Sequence, residues 1–448
     1  MSSRKRRRAQ RRNLRLTGVA LAAVLLVAVV ATDPPGSPAG AVGGHYAATP
    51  AESITDIQAF WTEALPDTYG RTYQPLPAER VHPYTSTDPP PGCGTRGRTP
   101  YREVAGNAFY CEQGDFVAYD AEQLIPTLEG SYGDFAVGLV LAHEWGHAVQ
   151  GRVGAPDGAF VYTELQADCF AGAWARRIAT GSGTRLRLSD DDLDRALAGF
   201  LALRDPSGVD GRQEGAHGNA FDRVSALQDG LEGGADACRA YGSRPPEVTE
   251  EGYRSAADAA INGDLPLDEV LPMLERSLDD YWTNAVRAYD EAPQLVAVRS
   301  TGAPACTRSD GGVLSDTVVY CADSNRIVYA SSTLTKASTE IGDLGAGVFV
   351  AAAWSSAVQH DLGQALGTNR SRATAECLTG AWAGAMHRGT TASRSARFAL
   401  SPGDLDEVIA AFVATDDAQS EVNRGSVFDR VTLFRAGFDG GTAACLAV

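Results

Sequence analysis

Apolar and polar positions along this chain form three kinds of stretch. Residues 16–31, LTGVALAAVLLVAVVA, are apolar apart from Thr17 and Gly18. Residues 110–120 alternate apolar and polar around Gly114, the period of a strand, and predict a small hairpin. Most of the remainder has helical period. From Phe135 the run FAVGLVLA leads into HEWGHAVQ and predicts a largely buried helix of about four turns that stops at Gly151. A second helix is predicted over residues 162–178. A third opens at Ser189 as cap, with Asp190, Asp191 and Asp192 in its first turn and Leu193, Ala196, Leu197, Phe200 and Leu201 on one stripe. That acidic triplet reads as helix-terminus chemistry, because carboxylates favour the positive end of a helix. The expected fold is mainly α, an α+β arrangement with a small β-hairpin.

The pattern is written twice. Laid on itself with a shift of about 210 residues, the chain matches in unbroken order. NAFYC before Glu112 meets TVVYC before Ala322, VLAHEWGHAVQ meets VAAAWSSAVQ, and ADCFAGAWA from Ala167 meets AECLTGAWA from Ala375. SDDDLDRALAGF from Ser189 then meets SPGDLDEVIAAF from Ser401, and FDRV at Phe221 meets FDRV at Phe428. A weaker echo links Phe60 and Trp61 to Tyr281 and Trp282. Two domains are therefore expected, residues 51–240 and 266–448, joined by a linker over 241–265. Residues 33–50, rich in Pro, Gly and Ala, read as a flexible stalk that cannot bury enough apolar surface to fold.

Charge and cysteines place the chain. Residues 1–15 carry eight Arg or Lys and no acid, a basic arm expected to stay cytoplasmic, so that residues 16–32 act as a transmembrane anchor or signal segment and everything beyond lies outside. The run fits an uncleaved anchor, with Ala31 or Ala41 as the end of a cleavable signal in the alternative. Without the arm, the chain has 39 − 8 = 31 basic residues against 56 acidic ones, which argues against nucleic acid as a partner. All eight cysteines follow the apolar run, in a compartment where disulfides persist. They keep the register of the repeat: Cys93, Cys111, Cys169 and Cys238 match Cys306, Cys321, Cys377 and Cys445. Four cysteines allow three pairings; the short Gly- and Arg-rich loop favours Cys93 with Cys111, and Cys169 with Cys238. No Cys-x-x-Cys pair supports a zinc ribbon.

The candidate chemistry lies on the first long helix. His143 and His147 are one turn apart and Glu144 shares their arc, so two imidazoles can bind one metal. Zinc suits such ligands, and a catalytic site needs a third protein ligand. Glu164 is the candidate, sixteen residues beyond His147 with a glycine-bearing turn between. Asp168, one turn further, would accept the free ring N–H of His143 and fix its tautomer. Glu144 is the candidate general base, and His217, in the AHG turn, the candidate donor to an oxyanion. HExxH alone arises by chance in roughly one chain in a hundred of this length. The repeat lowers that doubt: His143, Glu144, His147, Glu164 and His217 become Ala352, Ala353, Ser356, Arg372 and Arg424, while Trp145, Gln150, Cys169, Gly172, Trp174 and Arg223 recur. His45, His82, His360 and His387 have no partners at ligand spacing and read as ordinary residues. Gly146 is expected to let a neighbouring segment approach the metal closely.

HEWGHAVQ followed by ELQADCFAGAWA, the DLDRALAG helix and the AHG turn ahead of Arg223 and Cys238 resembles the neutral zinc metallopeptidases of bacteria over about residues 90–240. The resemblance implies a zincin-like catalytic domain, Glu164 as a zinc ligand beside His143 and His147, and membrane association in many members. This chain departs from the family pattern in Trp145, in Phe221 and Asp222, and in carrying a second, degenerate copy. The expected function is an extracytoplasmic peptidase using Zn2+ on protein or peptide substrates, with an inactive pseudo-peptidase repeat behind it. The alternative is a non-catalytic surface binding protein with a structural zinc; cell-wall peptide is an alternative substrate.

Overall fold

The computed structural model describes residues 46–249, 252–299, 305–307, 313–315, 318–389, 399–415 and 426–446. The basic arm, residues 16–32 and most of the expected stalk lie outside the described residues, as do His45 and Arg424. Among the described residues no helix is long and apolar enough to cross a membrane.

The first half starts with α1 (Pro50–Tyr69), whose Thr49 cap and Glu52 satisfy each other's backbone N–H groups. Strand β1 (Val81–Tyr84) pairs in parallel with β3 (Phe116–Asp120), which pairs antiparallel with β2 (Ala108–Cys111). Then follow α2 (Leu124–Tyr132), α3 (Asp134–Val153), α4 (Phe160–Ala179), α5 (Asp190–Ala202) and α6 (Ala220–Ala240). The hub is α3, which packs against α1, α2, α4, α5 and the sheet. It is buried along most of its length, as the apolar run requires.

The same order recurs after Ala240. Helix α7 (Leu267–Ala285) precedes β4 (Gln294–Val298), which lies parallel to β8 (Arg326–Ala330), itself antiparallel to β7 (Val318–Cys321). A two-stranded ribbon, β5 (Ala305–Thr307) and β6 (Val313–Ser315), is added. Helices α8 (Ser331–Glu340), α9 (Asp343–Asp361), α10 (Asn369–His387), α11 (Asp404–Ala414) and α12 (Val427–Leu446) complete it. Helix α6 kinks at Gly234 and α12 at Gly441, with φ of 67° and 66°. Disulfides join Cys93 to Cys111, Cys169 to Cys238, Cys306 to Cys321 and Cys377 to Cys445.

The expected hairpin is present as β2 and β3; its turn residue Asp115 has positive φ, and its carboxylate accepts from Tyr110 Oη and pairs with Arg80 and Arg152. Three local expectations need correction. The first long helix runs through Gly151 to Val153 and is capped by Gly154, where φ is 96°. The end of the expected stalk is part of the fold. Tyr46 is buried, its ring against Phe135 and Trp174, its N–H on Asp192 and its hydroxyl on Ser53; one aromatic anchor outweighs a composition that predicts disorder. Nor is the expected linker free, because Thr249 donates its N–H and hydroxyl to Asp222, and Tyr241 donates to Asp229.

The halves meet through repeated contacts. Asp406 Oδ1 accepts from Phe221 N at 2.9 Å, and Asp194 Oδ1, its counterpart in the repeat, accepts from Phe428 N at 2.8 Å. The Phe221 ring packs on Phe434 and Phe438, so the apolar core is continuous across both halves.

One buried cluster differs in sign. Arg195 of α5 lies beside Asp192, but its counterpart is Glu407. Glu407 Oε2 accepts from Leu344 N and Gly345 N, and Asp264 Oδ1 from Asp343 N, so the acids cap α9. Burial pushes Asp343 up to about 6, with Asp264 adding to it, and holds Asp404 and Glu407 well above the usual carboxylate range. Because the folded-state value of Asp343 is raised, its stabilising contribution is present below about pH 4 and is lost as pH rises through about 6. Thermal melts are therefore expected to show a higher midpoint at pH 5 than at pH 7.5, and Glu407→Gln to reduce that difference; an unchanged difference in the variant would clear the cluster of this role.

Candidate metal centre

The site is built by α3 crossing α4. At Gly146 an added Cβ would stand 2.9 Å from Ala167 Cα, so only glycine allows the two backbones this close. The approach brings Glu164 over His143 and His147. One ligand atom from each of the three residues lies within 4.8 Å of the others. His143 Nε2 and His147 Nε2 are 3.1 Å apart, and Glu164 Oε2 is 3.2 and 3.4 Å from them.

The outer nitrogens determine which atoms face inward. His143 Nδ1 is 2.8 Å from Asp168 Oδ1, and His147 Nδ1 is 2.8 Å from Gln150 Oε1. The Gln150 amide is oriented by its own donation to Thr163 O and Gln166 Oε1, so its oxygen faces the ring. A ring that donates from Nδ1 presents a bare lone pair at Nε2. Two such lone pairs and the Glu164 Oε2 atom, which is buried without a hydrogen-bond partner, point at a common space. Three acceptors that repel one another fit a shared cation. Ligands about 2.0–2.1 Å from a tetrahedral zinc stand about 3.3–3.4 Å apart, close to the observed separations.

The charges agree. Burial opposes a proton on His143, but Asp168 outweighs it, with Glu164 and Glu144 behind, and raises the group to about 10. His147 is raised likewise, against its burial, by Glu164. Burial also opposes ionisation of Glu164, yet the two histidines hold it well below the usual range. Asp168 is lowered despite burial by Arg223, which donates through Nε and Nη2 at 2.8 and 3.0 Å, and then by His143. The site favours positive charge between the three inward atoms.

Glu144 is buried on α3 beside His143, and its charge acts on both histidines. His217 does not join the three-residue cluster. Its side chain is half exposed, with its N–H and ring Nδ1 on Asp205, in the loop between α5 and α6. That loop does touch the site's frame, since Gly218 packs beside Val161 and Leu165 of α4. Gln150, Arg223 and Asp205 carry orienting roles that sequence reasoning missed. Retention of Gln150 and Arg223 in both halves is the sequence signal for them, and it fits plain packing equally well.

Known proteins bear on this region. Residues 51–241 match the family described as "Putative neutral zinc metallopeptidase". Uncharacterized protein Rv2575 of Mycobacterium tuberculosis is 32% identical over 203 residues, 40% of this chain and 64% of that protein. Uncharacterized protein Mb2605 of Mycobacterium bovis matches to the same extent. Uncharacterized protein YpfJ of Escherichia coli K12 is 30% identical over 198 residues, 39% of this chain and 64% of that protein. The chain thus spans 64% of the length of these curated relatives. No solved structure matches it.

Replacing Gln150 by Leu removes the acceptor that fixes the His147 tautomer while leaving the three inward residues intact. Zinc affinity, read by competition with a chelating dye, is expected to fall about ten- to a hundredfold. Unchanged affinity in a folded variant would reduce Gln150 to a packing role.

Proposed function

We propose that this chain is a zinc-dependent peptidase acting outside the cytoplasm, with His143, His147 and Glu164 as metal ligands and Glu144 as general base. The observation that carries the reading is the convergence of the three bare acceptor atoms, with each histidine locked from behind. The family match over residues 51–241 supports it. Zinc, when bound, polarises the scissile carbonyl and makes the attacking water more acidic. Glu144 takes the water's proton as oxygen attacks carbon, then delivers it to the amine nitrogen as the C–N bond breaks. Asp168 and Gln150 keep the two imidazoles in register, and Arg223 holds Asp168 ionised. His217, in the loop that packs beside α4 and with its ring Nδ1 held by Asp205, is the residue proposed to donate to the developing oxyanion.

The location outside the membrane rests on the basic arm, the apolar run at residues 16–31 and the four disulfides. The second half is read as an inactive copy. In its support, the order of elements, the disulfides and the helix kinks recur, whereas Ala352, Ala353, Ser356 and Arg372 stand where the metal chemistry would be. Its task is to shape or recruit substrate for the first half.

The test uses the full chain with and without Glu144→Gln, measuring zinc content and cleavage of casein, peptides and muropeptides side by side. One zinc per chain in both proteins, with cleavage lower by about 10²–10⁴ in the variant, is the expected result. A zinc-loaded wild-type chain that cleaves none of them would favour a binding protein with a structural metal. Muropeptide cleavage without casein cleavage would assign the cell wall as substrate.

A further inference from the structure

The second half keeps the cleft of the first and reverses its charge. In the first half Glu144, Glu164, Asp168 and Arg223 sum to −1 − 1 − 1 + 1 = −2, a setting for a divalent cation. In the second the corresponding charged groups are Arg372, Glu376 and Arg430, which sum to +1 − 1 + 1 = +1. The frame behind them persists. Gln359 Nε2 donates to Ser371 O as Gln150 does to Thr163 O, and Arg430 Nε donates to Glu376 Oε1 at 2.6 Å as Arg223 does to Asp168.

Exchange of His, Glu and His for Ala352, Ala353 and Ser356 removes side-chain volume from the cleft. A cavity of about 150 Å³ lies there, floored by those three residues. Val348, Phe349, Leu366 and Phe412 give it an apolar side, facing a polar side of Ser371, Thr379, Glu376 and Arg430. Cavities of this order admit a benzene-sized group. Arg372 lines the same space, and its guanidinium has no hydrogen-bond or ion-pair partner among the described residues; its Nη1 is buried. By contrast, Arg430 pairs through Nε with Glu376 and donates through Nη1 to Phe412 O and Thr415 Oγ1, with the Phe412 ring beneath it. One cation without a counter-ion beside an apolar hollow is a receptor for an anion that carries an apolar group.

We propose that this cavity binds a free carboxylate attached to a compact apolar group, with Arg372 pairing with the carboxylate and the apolar walls holding the side chain. Two sources supply that chemistry: the C-terminal residue of a peptide, and a small free acid. Assignment to a peptide rests on the peptidase reading above; the carboxylate itself does not. A peptide held by its C-terminus here would give the second half a part in recruiting substrate or retaining product.

Calorimetric titration of the full zinc-loaded chain with N-acetylphenylalanine, its amide and 3-phenylpropionate tests this. Both acids are expected to bind at one site per chain, with the amide weaker by about tenfold or more, the loss of one hydrogen-bonded ion pair. Arg372→Met is expected to weaken the acids by the same factor with zinc content unchanged, which separates this cavity from carboxylate binding at the metal. Ala352→Leu, which fills the hollow at a position that holds histidine in the first half, is expected to do likewise with Arg372 retained. Tighter binding of N-acetylphenylalanine than of 3-phenylpropionate identifies the peptide terminus; the reverse identifies a free acid. Equal binding of acid and amide, wild-type binding by a folded Arg372→Met chain, or no binding of either acid at about 1 mM overturns the proposal. Loss of zinc or of cleavage elsewhere in the chain would bear on the peptidase reading alone.

Discussion

His143 Nε2, His147 Nε2 and Glu164 Oε2 face one another as three acceptors when both rings are neutral, so a shared positive charge is favoured between them, and packing holds them in that arrangement. Two helix backbones must nearly touch for this, and they do so at Gly146 and Ala167. The close approach is secured from outside the site. Helix α4 is locked to α6 by Cys169–Cys238 and by glycines on each helix, Gly172 against Leu227 O and Gly230 against Cys169 O, where a Cβ would overlap backbone. Asp168 then links the metal side of α4 to Arg223 of α6, so the disulfide, the ion pair and the tautomer of His143 belong to one rigid unit.

The second half repeats the outer parts of that unit. Gly380 and Gly437 repeat the backbone contact, Cys377–Cys445 repeats the staple, and Glu376–Arg430 repeats the buried ion pair. A buried pair of this kind is costly to break, because removing either partner strands a charge away from water. It is present in both halves, whatever stands in front of it. Where the first half has His143, Glu144 and His147, the second has Ala352, Ala353 and Ser356, and a hollow rather than a collapsed core lies beside them.

Contacts between the halves tie the two sites together. Asp194 and Asp406, at matching positions on α5 and α11, each receive a backbone N–H from the first turn of the other half's last long helix. Those helices carry Arg223 and Arg430, so each site's outer ion pair sits on an element anchored across the interface.

Much of this was determined by the sequence alone. Apolar runs of helical period placed α3, α4 and α5 because a buried face leaves a local signature in side-chain order. The spacing of His143 and His147 implied a shared metal because one helical turn is a fixed distance. The spacing after His147 pointed to Glu164, and one further turn to Asp168; the internal repeat then made a chance occurrence of the motif less plausible. What escaped it depends on contacts between distant segments. Strand β1 is four residues long and contains Pro83, too little for a local signal, and exists because β3 offers it an edge. Tyr46 looked like stalk until Phe135 and Trp174 gave its ring a place to be buried. The roles of Gln150, Arg223 and Asp205 follow from where their neighbours' hydrogen-bonding groups point. Arg372 reads as a simple loss of a ligand until its packing leaves it without a counter-ion beside an empty hollow, because charge balance in a cleft is a sum over several segments that only the folded chain brings together.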